Sequence, residues 1–412
     1  MNIKKSYPWI VVGLLWGVAL LNYMDRQMLS TMKDAMQMDI AELQSATNFG
    51  RLMAIFLWIY GFMSPVAGAV ADRINRKWLI VGSLFVWSAV TCGMGYATTF
   101  HQIYWLRALM GISEALYIPA GLSLIADWHE GKSRSLAIGI HMTGLYTGQA
   151  IGGFGATVAA AFSWHTTFHW FGIIGIAYAV ILILFLHENK EHVLQEKLNR
   201  QKSTGEKIPL LKGFSFLFSN IAFWVILFNF AAPSLPGWAT KNWLPTLFSE
   251  NLNMDMAEAG PLSTFTIAIS SFVGVISGGI LSDRWVQKNV RARIYTAAIG
   301  LGMTIPALLL LGFGHHIVGI VGAGLLFGIG YGIFDANNMP ILCQFVPSKY
   351  RATAYGLMNM TGVFAGAAVT SVLGRWSDGG NLGLGFAWLS VIVLTAVGLQ
   401  LYFLRPTTDN ME

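Results

Sequence analysis

Apolar runs of about 20 residues, separated by short polar or basic stretches, recur along the whole chain. A helix of that length crosses a hydrocarbon core of about 30 Å. The runs predict spans near residues 8–31, 48–70, 78–97, 102–125, 135–161 and 166–187. A second set follows near 215–236, 260–282, 293–314, 316–346, 351–373 and 383–404. The run 316–346 is long enough to tilt or break. The first run follows Lys4 and Lys5, as a signal peptide would. It is too long for an h-region and no small-residue cleavage site follows, so it reads as a retained span. The pattern therefore predicts an all-α integral membrane protein with 12 transmembrane helices.

Composition supports this reading. Hydrophobic residues make up 55% of the 412 and charged residues only 11%, against about 25% charged in soluble proteins. A soluble globule of that make-up would expose large apolar patches, and 13% aromatics exclude disorder. Cys92 and Cys343 lie far apart in apolar runs and offer neither a disulfide framework nor a metal site. No metal or cofactor is expected. The net charge of +6 forms no basic stripe with interleaved aromatics, so nucleic acid is not an expected partner.

The cations instead sort by loop. Arg26, Lys33, Arg51, Arg107, Lys241 and Arg375 are six exceptions; the other 20 of 26 fall on one side if the N-terminus is cytoplasmic. This positive-inside asymmetry predicts a multi-pass protein with both termini in the cytoplasm. Residues 188–213 are polar and mixed in charge, which suits a cytoplasmic linker. The expected domains are then 1–187, an N-terminal six-helix bundle, and 214–412, its C-terminal counterpart.

An internal repeat supports two halves. GAVADR runs from Gly68 to Arg73 and GILSDR from Gly279 to Arg284, an offset of 211. Arg134 with Gly139 and Arg351 with Gly356 recur at an offset of 217. Homologous parallel halves place a substrate site at their interface near the bilayer midplane. The stretch GAVADRINRK, Gly68 to Lys77, resembles the loop between spans two and three of the major facilitator superfamily, with Asn75 where a glycine is usual. The resemblance implies a gating loop of Gly68, Asp72, Arg73 and Arg76, repeated at Asp283 and Arg284. A stop-transfer cluster is the plain alternative.

Charges inside spans are costly and mark function by default. The first span carries Asn22-Tyr23-Met24-Asp25-Arg26, and the fourth carries Arg107 and Glu114. Residues seven apart return to nearly the same helix face, so Arg107 and Glu114 point together. By a rise of 1.5 Å per residue, Asp25, Arg26 and Arg107 share an outer-half layer, with Glu114 about 17 Å down, near the midplane. Arginine grips a carboxylate with a planar fork. Burial favours the neutral form of an acid and a neighbouring arginine favours its anion, so such an acid can exchange a proton as access alternates. Permanent ion pairs, Asp25–Arg107 and Arg26–Glu114, are the structural alternative.

The combination also resembles the anion:cation symporters, a branch with bacterial sugar-acid and animal sialic-acid carriers. LNYMDR at 21–26 and RALMGISEA at 107–115 are similar to that branch's first- and fourth-span patterns. The resemblance implies Asp25 and Glu114 as proton-coupling acids and Arg26 and Arg107 as substrate-carboxylate ligands. It also implies Tyr60 and Asn359 as substrate-binding residues. Tyr23, His141, Tyr146 and Asn337 complete the candidate substrate-binding set. The match thins in the fifth span, where a glutamine expected near Leu145 is absent. His141 is either a proton relay or a solvent-facing residue. Glycines 144, 148, 152 and 153 suit close helix packing. Asp335, Asn337 and Asn338 before Pro340 suit a broken helix lining a cavity, or a segment at the cytoplasmic surface. Lys241 either attracts an anion or snorkels to the interface.

Together these features predict a proton-coupled symporter of a bacterial inner membrane. Its expected cargo is a small organic anion, a sugar acid such as a hexuronate, aldonate or sialic acid, moved with a proton or with sodium in its place. It is expected to be a monomer in the lipid bilayer and not an enzyme. An organophosphate exchanger, a drug:proton antiporter and a transporter-like sensor are the rival readings.

Overall fold

The computed structural model describes residues 3–71, 74–129, 132–189, 217–347 and 350–406, and its regular structure there is helical throughout. Asp72, Arg73 and nearly all of the 188–213 connection lie outside the described residues. The first six spans are Ile3–Thr31, Ala46–Ala71, Arg76–Met94, Phe100–Trp128, Lys132–Gly152 and Trp164–Phe185. The second six are Ile221–Leu252, Met256–Val286, Ala292–Phe313, Ile317–Phe345, Arg351–Asp378 and Leu382–Phe403. Among the described residues, 11 of these are long and apolar enough to cross a membrane. The fifth is diluted by Arg134, His141, Thr143, Thr147 and Gln149.

Local chemistry sets the ends. Asn75, the departure from the loop pattern, caps the third span by accepting from Trp78 N at 3.1 Å. Thr99 and Gln102 form a capping box at the fourth. Asn253, with φ of 49°, ends the seventh in the left-handed conformation that asparagine tolerates.

Three expectations need correction. The seventh span continues through Pro233, Pro236 and Pro245 to Leu252 instead of ending near 236. Proline is tolerated in a spanning helix where neighbours satisfy the freed carbonyls. The fifth span ends at Gly152, and a separate short helix, Gly155–Ala161, follows. The tenth span is continuous through Pro340. It is the fourth that breaks, between Ala115 and Tyr117, one turn before Pro119. There Ser113 O accepts from Leu116 N at 3.3 Å and from Ser83 Oγ at 2.6 Å.

The packing repeats with a period of six helices. The first span packs on the fifth and the seventh on the eleventh; the second on the fourth and the eighth on the tenth. The third and sixth pair as the ninth and twelfth do, and the halves meet through second on eleventh and fifth on eighth. This is the geometry that the sequence repeat implies. Glycines permit the closest approaches. A Cβ at Gly144, Gly148 or Gly152 would strike the backbone carbonyl of Trp16, Leu20 or Met24, so three turns of the fifth span lie flat on the first.

Away from the basic loops, the halves are bolted together. Asp378 of the eleventh span accepts from Ala46 N at 2.6 Å, Thr47 N at 2.9 Å and Ser45 Oγ at 2.8 Å. It thereby caps the second span from the other half. Gly50 lies against Thr370 O, and Gly374 against Ala46 O. Gln27 Nε2 donates to Lys241 O at 2.9 Å and Thr157 Oγ1 to Ala257 O at 2.6 Å.

Replacing Gly148 by Val should separate the first and fifth spans, since overpacking of this kind costs about 1–3 kcal/mol. Gly139, where an added Cβ meets nothing within 4 Å, should accept Ala with unchanged or slightly higher stability. Thermal unfolding of the two detergent-purified variants against the native chain checks the contrast.

Candidate functional site

Adjacent residues on a helix point about 100° apart, and this separates Asp25 from Arg26. Arg26 turns toward the second and fourth spans, where its Nε donates to Glu114 Oε2 at 2.6 Å. Asn22, one turn earlier, donates to the same oxygen at 3.0 Å. Asp25 instead faces the third span, with Thr91 Oγ1 3.4 Å from its Oδ2. Of the two ion pairs weighed from sequence, Arg26–Glu114 forms. Asp25 and Arg107 stand within electrostatic reach but form no ion pair, because Asp25 points at the third span and Arg107 at the second. The expected layering therefore shifts, with Arg26 reaching to the depth of Glu114.

Aromatic rings fix the two guanidinium groups. Arg26 Cζ lies 5.0, 4.8 and 4.7 Å from the ring centres of Tyr23, Phe56 and Tyr60. Arg107 Cζ lies 4.7 Å from the Phe56 centre on its own account, and its Nη1 meets Met110 Sδ at 3.0 Å. Desolvated contacts of this type contribute about 2 kcal/mol each. Phe56 thus holds both arginines. Sequence reading missed it, although it sits four residues before Tyr60, on the same helix face.

The layer is buried and incompletely satisfied. Asp25, Arg107 and Glu114 are 3%, 3% and 0% exposed. Asn22 Oδ1, Asp25 Oδ1, Arg26 Nη2, Arg107 Nε and Glu114 Oε1 are buried without a hydrogen-bond partner among the described residues. Buried polar atoms are nearly always paired, so a concentration of unpartnered donors and acceptors in one layer sets this place apart from the rest of the described core.

Beside the layer a cavity of about 90 Å³, room for several water molecules, lies between the halves. Its walls are Tyr23 of the first span, Tyr146 and Gln149 of the fifth, Thr240 and Lys241 of the seventh, Ser271 of the eighth, and Tyr331 and Asp335 of the tenth. Asp335 and Met142 are exposed within it. Tyr23 and Tyr146 line this space, while Tyr60 lies against Arg26 and is not among the lining residues. His141 does not line it either. It is fully buried with its Nε2 2.8 Å from Tyr117 Oη, which donates in turn to Leu15 O at 2.8 Å. The expectation of a solvent-facing histidine is likewise corrected. Asn337 is buried and donates to Ile333 O of its own helix at 2.8 Å, so it ties a helix turn rather than reaching the cavity. Asn359 is half-buried on the eleventh span and is not among the lining residues.

The loop residues are unevenly held. Arg76 pairs with Asp127 of the fourth span, and its backbone N donates to Glu188 Oε1 at 2.6 Å. Asp283 meets Arg293 at 3.5 Å in an exposed pair, Arg284 is exposed, and an added Cβ at Gly68 meets nothing within 4 Å.

Residues 15–371 match the family described as Major Facilitator Superfamily. The chain belongs to the major facilitator superfamily. It is a multi-pass membrane transporter, not an enzyme. This superfamily member is 26% identical over 403 residues to the Hexuronate transporter of Bacillus subtilis (strain 168), covering 89% of this chain and 91% of that one. It is 25% identical over 400 residues to a protein of the same organism named "Probable galactarate/D-glucarate transporter", covering 90% and 86%. Among solved structures, a bacterial homolog of the human lysosomal transporter Spinster, in an inward-facing and occupied conformation, superimposes with a TM-score of 0.80. That alignment covers 98% of each chain at 18% identity and shows the shared fold.

Removing one partner of a buried ion pair costs about 3–5 kcal/mol. Arg26→Met should therefore destabilise the protein strongly, and adding Glu114→Gln to it should restore part of the loss. A double-mutant cycle on thermal stability reads this coupling; additive losses would show that the pair does not act as a unit.

Proposed function

We propose that this transporter is a proton-coupled symporter that imports a small organic anion, a sugar acid of the hexuronate or aldonate kind. The reading rests above all on the buried Arg26–Glu114 pair beside Arg107, with its free donors next to the central cavity. An anion needs an unpaired guanidinium fork, and Arg26 is engaged as long as Glu114 is a carboxylate. Protonating Glu114 releases Arg26 for the substrate carboxylate, so proton and anion load together. Asp25, held loosely by Thr91, serves as the second proton carrier. Arg107 is the other half of the carboxylate clamp, and Tyr23, Tyr60 and Tyr146 face the substrate's hydroxyls. The names of the sugar-acid relatives support the cargo class.

In this reading the bacterial inner membrane holds a monomer with both termini in the cytoplasm, as the loop cations suggest. The bodies 1–187 and 214–412 rock about the central site, joined by the linker 188–213. The state with Asp378 bolting the face away from the basic loops is then the inward-open one. The loops at Gly68, Asp72, Arg73 and Arg76, and at Asp283 and Arg284, close the cytoplasmic side in the alternate state. A phosphate ester could use Lys241 as a second-half cation, but Asp335 beside the cavity opposes a doubly charged ligand there.

In proteoliposomes, uptake of the sugar acid should rise as the external pH falls, because loading requires protonated carriers. Glu114→Gln should abolish pH-driven accumulation while keeping counterflow; full accumulation by this variant would remove Glu114 from the proton path. Arg107→Ala should lose substrate binding by at least about tenfold, the effect of about 1.4 kcal/mol, and unchanged affinity would sink its role as a clamp.

A further inference from the structure

The cavity carries a second charged arrangement that the coupling scheme does not use. Lys241 lies well inside the seventh span rather than at its end, with Nζ 4.7 Å from the Trp238 ring centre and 5.7 Å from that of Tyr23. Across the cavity stands Asp335, which accepts from Asn338 Nδ2 at 3.2 Å. Lys241 and Asp335 line this cavity together without forming an ion pair within 4 Å. The two side chains therefore face the same space with hydrogen-bonding capacity to spare. Tyr23 links this place to the first-half site, since Arg26 lies on the same ring at 5.0 Å.

A six-carbon acid held by its carboxylate at Arg26 carries its far end past Tyr23 toward Lys241 and Asp335. Two kinds of far end are possible, a polyhydroxy chain end or a second carboxylate. A carboxylate such as Asp335 accepts from adjacent hydroxyls, while an ammonium donates to them. A second substrate carboxylate would meet Asp335 as a like charge in a narrow space, which is how sites reject a near-identical ligand.

Resting on the sugar-acid reading, we propose that Asp335 and Lys241 form the hydroxyl-reading end of the transport site and select monocarboxylate over dicarboxylate sugar acids. Asp335 is the selecting group and Lys241 its partner.

The test is competition between glucuronate, a monocarboxylate, and glucarate, a dicarboxylate, in proteoliposome uptake and in thermal stabilisation of the purified full chain. The native protein should prefer glucuronate by about tenfold or more, corresponding to about 1.4 kcal/mol or more. Asp335→Asn should narrow or reverse that ratio, while Asp335→Glu should keep it. Asp335→Ser is measured in parallel, so that misfolding of one variant leaves a second reading, and a ratio taken within one variant is independent of expression. A native preference for glucarate, or a ratio unchanged in both Asn and Ser variants, would overturn the selection by Asp335. Binding of neither anion by the native chain would overturn the sugar-acid reading beneath it.

Discussion

One constraint governs the centre of this protein: Arg26 and Glu114 are buried together, away from water, at 2.6 Å. Neither charge is tolerable there alone, since an unpaired ion in a low-dielectric interior costs several kcal/mol. In the proposed cycle the pair is a single unit with two settings: in one the carboxylate holds the guanidinium, and in the other a proton neutralises the acid while an external anion takes its place. Asn22, Tyr23, Phe56 and Tyr60 gather around that unit. They hold Arg26 in place whichever anion it serves, and this makes the exchange of partners inexpensive.

The rest of the fold keeps the unit beside the seam where the first six spans meet the second six. Glycines at every fourth position let the fifth span lie on the first, so the helix bearing Arg26 is firmly part of its own half. The contacts between halves combine close packing with polar bonds. The second and eleventh spans approach through Gly50 and Gly374, while capping of the second span by Asp378 and the bond from Gln27 to a seventh-span carbonyl are directional. Each such bond is worth about 1 kcal/mol net, so the proposed rocking has to give up both packing and bonds on this face.

Much of this was legible in the sequence. Apolar length points to the spans, and the Asp-Arg repeat has a counterpart in packing that recurs every six helices. The spacing of seven between Arg107 and Glu114 put them on one face because helix geometry is local. What sequence left out depends on contacts between distant segments. The apolar run of the seventh span reads as ending near 236, which puts Lys241 near its outer end instead of in the cavity wall. The break expected at Pro340 occurs instead before Pro119, where Ser83 of the third span donates to the Ser113 carbonyl at the turn. No local rule separates those two prolines. His141 and Asn337 read as cavity residues because they are polar in apolar runs, yet each is buried in the packing, His141 against Tyr117 and Asn337 on Ile333 O of its own helix. Phe56 is missed for the opposite reason, as an apolar residue whose part in the site comes from the two guanidinium groups that lie against its ring.

The most direct test of the exchange is the protonation state of Glu114 itself. Infrared difference spectroscopy on the purified protein, with and without glucuronate at constant pH, reports a carboxylate becoming a carboxylic acid. The account predicts that substrate binding produces a protonated carboxyl band that is missing in Glu114→Gln. Substrate binding with no such band, or with a band that survives in Glu114→Gln, would contradict it.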